Sequence, residues 1–251
     1  MTVYGRYAQR MLEQSDGVRL DAAEPVVLGA LQARLDELLA HVKPVRMLDA
    51  GCGQNRAVPV ASDRYVVGID ISENQVVNNN ALDEAIVGDI ETSDLGHSCF
   101  DAVICWYVLE HIKHPENALL NFKRSLKPHG VLIVAVPHAL SIRGLVTRFT
   151  PYWFHGWVRR LMDNTASRPE PFPTVMSSSI TPKQLCAFAR DHGLAIEFLS
   201  EFEGWEQKKL RARLRLTGRA FQAIQALVKA LSLGTITVGV TDVIVVMQNR
   251  G

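Results

Sequence analysis

Four cysteines in 251 residues, with no CxxC pair among Cys52, Cys99, Cys105 and Cys186, leave too little sulfur for a disulfide scaffold or a thiolate metal centre. Two of the four lie in apolar, strand-like runs, so buried free thiols in a reducing cytoplasm are expected, and no metal site. An excess of one charge is also missing: 27 Lys and Arg stand against 26 Asp and Glu, a net charge of +1. Without a global basic field, no nucleic-acid partner is expected. No uninterrupted apolar run is long enough to span a bilayer. Met1 to Gly17 is polar and lacks the apolar core of a signal peptide, which again leads to the expectation of a cytoplasmic protein. Internal repeats and low-complexity tracts are absent.

What is present is a chain of 47% hydrophobic content, enough for one large α/β domain over 1–251. Leu28, Leu31, Leu35, Leu38 and Leu39 recur at helical spacing over residues 24–42, with Pro25 in the first turn. Short apolar runs then alternate with helical segments. Strands are expected at Val45 to Ala50, Tyr65 to Ile71, Ala85 to Val87, Asp101 to Trp106 and Val131 to Val136, with a helix over Pro115 to Leu126. Such alternation implies a parallel sheet covered on both faces. Residues 138–180 break the rhythm with aromatics, Arg, Pro and Ser. Thr181 and Gln184 then read as a capping box for a helix ending near Gly193. Two more strands, Leu194 to Leu199 and Thr235 to Met247, flank a basic helical insertion at 204–233. It is read as one long helix with Leu210, Leu214, Phe221, Ile224, Val228 and Leu231 on one face.

Leu48-Asp49-Ala50-Gly51-Cys52-Gly53 follows directly on a strand. Glycines at such a turn let a ligand approach the backbone, and a helix N-terminus beyond it offers free N–H groups. Asp70 ends the next strand, where an acid can accept both hydroxyls of a ribose. Asp89 follows the third strand, placed to accept from an exocyclic amine of adenine, and Cys105-Trp106-Tyr107 closes the fourth.

With Gly68-Ile69-Asp70, Gly88-Asp89, Phe100-Asp101-Ala102-Val103 and Leu126-Lys127-Pro128-His129-Gly130 in order behind it, this segment resembles the class I S-adenosylmethionine (SAM)-dependent methyltransferases of small molecules and lipids. The resemblance runs from about Val45 to His138. It implies a Rossmann-like, seven-stranded, mostly parallel α/β sheet with an antiparallel last strand, and a helical, aromatic lid over 138–180. It implies SAM as cofactor and S-adenosylhomocysteine as product. Asp49, Gly51 and Gly53, with Cys52 between them, would surround the methionine part. Asp70 and the adjoining Ile71 would hold the ribose side, and Asp89 and Ile90 the adenine. Cys105 and Trp106 would form the floor. Two departures stand out. Asn55 occupies the place of a frequent third glycine, and residues 54–64 leave room only for a stunted first helix.

Methyl transfer to a hydroxyl needs a base. His138, at the end of the fifth strand, should point at the mouth of the site and is as fit for catalysis as for packing. His111 is the weaker candidate, and His155 is unranked. Tyr152, Trp153, His155 and Trp157 in the lid, and Tyr4 and Tyr7 at the N-terminus, are candidates for the acceptor side, with ordinary packing as the competing role. The basic helix, with Lys208, Lys209, Arg211, Arg213, Arg215 and Arg219, can pack on the body, join a second subunit in a homodimer, or lie on an anionic membrane as a peripheral contact.

Three rival readings bear on the same residues. A dinucleotide fingerprint would need glycine or alanine at Arg56. A nucleic-acid methyltransferase would carry an Asn-Pro-Pro-Tyr type of motif where Cys105-Trp106-Tyr107-Val108 stands. A SAM-binding partner or sensor without transferase activity fits the same residues. The favoured acceptor is a small molecule methylated on oxygen: a secondary metabolite, a sugar or a glycolipid.

Overall fold

Successive side chains of a strand point to opposite faces, so a strand that is apolar throughout must be covered on both. The computed structural model, which describes residues 18–19, 23–54, 63–138, 141, 177–233 and 236–251, bears this out. Its strands are β1 (Val18–Arg19), β2 (Val45–Ala50), β3 (Arg64–Asp70), β4 (Glu84–Val87), β5 (Phe100–Trp106), β6 (Leu126–Pro137), β7 (Leu194–Phe202) and β8 (Asp242–Asn249). They form one sheet in the order β1-β7-β8-β6-β5-β2-β3-β4. β2 pairs in parallel with β3 and with β5, and β6 in parallel with β5, while β8 runs antiparallel to both β6 and β7. The seven expected strands are present, and the two-residue β1 adds an eighth at the edge, parallel to β7.

Helix α1 (Glu24–Leu38) covers one face through Val27, Leu31 and Leu35, which meet Met47, Ile104 and Ile133. Burying each of these side chains contributes about 1.5–3 kcal/mol. Leu28, counted on that face by spacing, is exposed instead; Val27 takes its place. The other face carries Leu48, Val103, Leu132 and Val245, covered by α3 (Pro115–Ser125) and α4 (Pro182–Asp191). Thr181 caps α4, its Oγ1 accepting the Gln184 N–H at 3.4 Å. The short α2 (Glu73–Val77) follows β3.

Some sequence hallmarks of this half are structural. Lys127 pairs with Asp101 at 2.9 Å, and a Cβ on Gly130 would stand 3.0 Å from the carbonyl oxygens of Phe100 and Lys127. One buried ion pair ties α1 to the sheet: Arg34 reaches Glu197 of β7 at 2.5 Å.

The structure corrects two expectations. The basic insertion is two helices, α5 (Trp205–Arg213) and α6 (Gly218–Leu231), not one. Arg215 and Gly218 both have positive φ, 56° and 58°, which a continuous helix does not allow. The last strand begins at Asp242 rather than Thr235; Gly239, at φ 91°, turns the chain before it. Residues 142–176, with most of the expected lid, lie outside the described residues, as does the region expected to hold a stunted helix at 55–62. Among the described residues no helix is long and apolar enough to cross a membrane.

Candidate functional site

Because β3 lies on one side of β2 and β5 on the other, the chain reverses direction across the sheet at the carboxyl ends of β2 and β5, where ligands enter doubly wound folds. The glycine turn sits there. Gly51 and Gly53 have φ of 75° and 50°, and a Cβ on Gly51 would fall 2.4 Å from Val108 Cγ2, beyond β5. The turn is held over β3 by the Gly51 and Cys52 amides, which both donate to the Ile69 carbonyl at 2.7 and 3.1 Å. Asn79 secures it from the other side, its Nδ2 donating to the Gly53 carbonyl at 2.9 Å and the Cys52 carbonyl at 3.3 Å.

Asp70 binds the turn to the next strand end. One carboxylate oxygen accepts the Gly53 N–H at 3.0 Å and the other the Ser72 N–H at 2.9 Å. A carboxylate has about four lone-pair sites, so two bonds leave capacity for hydroxyl donors. Ile71, next along, is 68% exposed, an open apolar surface beside that acid. Asp89 closes the third loop on itself, accepting the Glu91 N–H at 2.8 Å. Asn121 of α3 pins the same loop by donating to the carbonyls of Ile90 and Ser93 at 3.0 and 2.8 Å.

The site is electronegative. Asp49 is buried, and the Cys52 thiol between the two glycines is pushed up to about 12, first by burial and then by Asp49 and Asp70. Cys105 is pushed well up by burial, then by Glu110 and Asp49. Both thiols are therefore neutral packing groups. Cys105 and Ile90 are buried in the core, so they support the floor and the third loop from beneath rather than offering side-chain surface. Trp106 is half-buried and stands edge-on to Tyr107, with centroids 5.9 Å apart.

On the far side of β5 lies a second group of polar side chains. Tyr107 adopts φ 56° and sends its hydroxyl to Asp242 Oδ1 at 2.9 Å, while Thr241 donates to Asp242 Oδ2 at 2.5 Å. The backbone N–H of His138 donates to the Thr241 carbonyl at 2.8 Å, and its ring Nε2 lies 3.6 Å from Glu201 Oε1. His138 is 5% exposed, so the ring is covered rather than open at a mouth. His111 ends a single 3₁₀ turn, Leu109–His111, 3.9 Å from Glu110.

The structure thus gathers Asp49, Gly51, Cys52, Gly53, Asp70, Ile71 and Asp89 at one edge, with Trp106 and His138 further along it. The candidate acceptor residues Tyr4, Tyr7, Tyr152, Trp153, His155 and Trp157 lie outside the described residues. Asn79, Asn121, Glu201 and Asp242 join the site without a sequence signal that marks them. Asn79 sits in a run of three asparagines that marks a loop without singling out one of them. Among the described residues no group of three His, Cys, Asp or Glu side chains could hold a metal ion.

Residues 48–134, spanning this edge, match the methyltransferase domain family. This matched segment and the sheet topology around it resemble the class I SAM-dependent methyltransferases. It is 24% identical to a ubiquinone biosynthesis O-methyltransferase of Rickettsia conorii over 51% of this chain and 47% of that one. To a tRNA U34 carboxymethyltransferase of Trichlorobacter lovleyi it is 32% identical over 39% of this chain and 35% of that one. The alignments thus span about half or less of these two relatives. The fold is shared with a sarcosine dimethylglycine methyltransferase structure from Galdieria sulphuraria, described as putative, at TM-score 0.53 and 13% identity over 99% of this chain and 98% of that one. SAM is the cofactor of this methyltransferase family, and the residues present fit it. A turn in which Cβ atoms are excluded, an acid with spare acceptors beside open apolar surface, and a negative field suited to a sulfonium and an amino group are the features such a ligand needs.

Proposed function

We propose that this chain transfers a methyl group from SAM to a hydroxyl oxygen of a small-molecule acceptor: a secondary metabolite, a sugar or a glycolipid. The observation that carries the reading is that one sheet edge presents both a cofactor cradle, built on Gly51, Gly53 and Asp70, and a His138–Glu201 pair beside it. Bound SAM would supply an electrophilic methyl group. The chain supplies the rest. Asp70 and Asp89 fix the nucleoside end, and the Gly51 to Gly53 turn admits the methionine end. Ordering the two reactants contributes much of the rate. His138 accepts the hydroxyl proton, and the Glu201 carboxylate stabilises the imidazolium that forms.

The near-neutral net charge of +1 argues against a nucleic-acid acceptor of the kind named for the Trichlorobacter relative. Buried free thiols at Cys52, Cys105 and Cys186 favour a cytoplasmic location. A second reading, a SAM-binding partner or sensor without transfer activity, is favoured by one observation: the His138 ring is covered.

Calorimetric titration with SAM and S-adenosylhomocysteine, followed by a mass-spectrometric screen of hydroxylated acceptors, tests the proposal. Binding that Asp70→Ala abolishes, together with a product heavier by one methylene, supports transferase activity. Binding with no product from any acceptor class supports the sensor. Failure to bind either sulfur nucleoside in a folded sample overturns both.

A further inference from the structure

The α5–α6 pair is the one described part of the chain in which charge of a single sign is concentrated. Residues 205–233 hold seven Lys or Arg and one acid, Glu206, which makes the segment +6 in a chain whose net charge is +1, although Arg211 is paired with Glu203 just before it at 2.8 Å. The same segment exposes apolar surface. No residue of α6 is buried. Phe221, Ile224 and Val228 are half-buried against the body, but the apolar arc of α6 is wider than the arc that the body covers. Ala220, Ala223, Leu227, Ala230 and Leu231 continue it outward at the three- and four-residue spacing of one helix face. Leu227 is 59% exposed and Leu231 78%, and Leu233, just past the helix, is 93% exposed. A surface helix of a globular protein places polar residues there.

We infer that the outer face of α6, with the exposed cations Lys208, Lys209, Arg213, Arg215 and Arg219 beside it, is a docking surface for an anionic lipid membrane. Charge complementarity decides the occupant. A second copy of this chain would bring a second +6 segment against the first, and like charges at close range oppose that contact. An anionic leaflet attracts Lys and Arg and accepts projecting leucines without needing a matched pocket. Arg213, Arg215 and Arg219 are all exposed around the break between the helices, where they can meet headgroups while Leu227 and Leu231 enter the acyl boundary. The inference does not depend on methyl transfer.

Co-sedimentation of the full chain with phosphatidylcholine vesicles, with and without phosphatidylglycerol, is the test. Binding to the anionic vesicles is expected to exceed that to neutral ones by at least roughly tenfold at low salt, and to fall steeply in about 1 M NaCl, where the screening length is short. The double variants Leu227→Glu/Leu231→Glu and Arg213→Glu/Arg215→Glu should each fall to the neutral-vesicle level. Both should keep the wild-type circular dichroism spectrum and S-adenosylhomocysteine affinity, which separates loss of docking from loss of fold. Equal binding to both vesicle types, or no binding at low salt, overturns the proposal. So does a Leu227→Glu/Leu231→Glu variant that binds like the parent, which would reduce the effect to charge adsorption. A dimer in sedimentation velocity that this leucine variant dissociates, without vesicle binding, would assign the face to a second copy of the chain.

Discussion

Asp70 and Gly53, 17 residues apart in sequence, meet through a 3.0 Å hydrogen bond from the glycine amide to the carboxylate. The acid expected to serve a ribose thus also holds the glycine turn in place. Asp70→Asn should cost more than a lost ligand contact. Its amide nitrogen cannot accept, so either the Gly53 or the Ser72 amide loses its partner. With about 1.5–3 kcal/mol for a hydrogen bond to a charged group, SAM affinity should fall by at least roughly tenfold, with a drop in melting temperature as well. Calorimetry and thermal unfolding on the same sample check this; unchanged affinity would remove Asp70 from the site.

Gly51→Ala should fail for two separable reasons. The backbone at φ 75° is strained for any L side chain, and the new Cβ collides with Val108. Strain at such a position costs about 1 kcal/mol, and overpacking adds about 1–3 kcal/mol. Adding Val108→Ala should restore only the packing part, so the double variant should unfold between Gly51→Ala and the parent.

For the acceptor side, His138→Ala is expected to lower kcat by roughly 10²- to 10⁴-fold while leaving S-adenosylhomocysteine affinity unchanged. Glu201→Gln should lower kcat less, because it acts through the imidazole. Full turnover of His138→Ala at neutral pH would show that no base at this position is used.

The Arg34–Glu197 pair concerns stability and not the site. Glu197→Ala removes one of the two carboxylates on Arg34 and leaves the exposed Glu37 at 2.6 Å, at a cost of about 1.5–3 kcal/mol for the lost charged hydrogen bond. The apolar double variant Arg34→Met/Glu197→Leu should recover most of that loss. Urea unfolding measures both.

Cys52 yields a pH prediction. Its folded thiol is pushed up to about 12, above its ordinary value, so its contribution is fully present at neutral pH. It is lost as pH rises from about 9 towards 12, because the unfolded chain ionises first. Stability should decline over that window, and less so in Cys52→Ala. At pH 8, thiol reagents should label the half-buried Cys99 well before Cys52, Cys105 or Cys186.

The parts legible in sequence are those whose signal is local. A strand such as Val131 to Val136 announces itself by composition, and Gly51 and Asp70 by their place at strand ends. The contacts that local signal does not carry act at long range. Asn121 clamps a loop some 30 residues upstream, and Tyr107 reaches Asp242, 135 residues away. Nothing nearby in sequence marks either. The break between α5 and α6 is hidden for a different reason. Leu210, Leu214 and Phe221 keep helical spacing across it, and only Thr217-Gly218 signals the interruption.

The antiparallel β8 has a consequence for how the two halves of the edge can vary. Parallel strands deliver their ends to that edge, but β8 delivers its beginning, so the described residues of 203–241 enter on the side of His138 and Tyr107. Among the described residues, the glycine turn and the acids beside it come from 49–89, closed by Trp106 and Val108 and clamped by Asn121. A graft of 203–241 from a related chain would therefore exchange the basic helices and the Thr241 contact to the His138 amide together, and leave both the Asp70–Gly53 turn and the His138–Glu201 pair as they are.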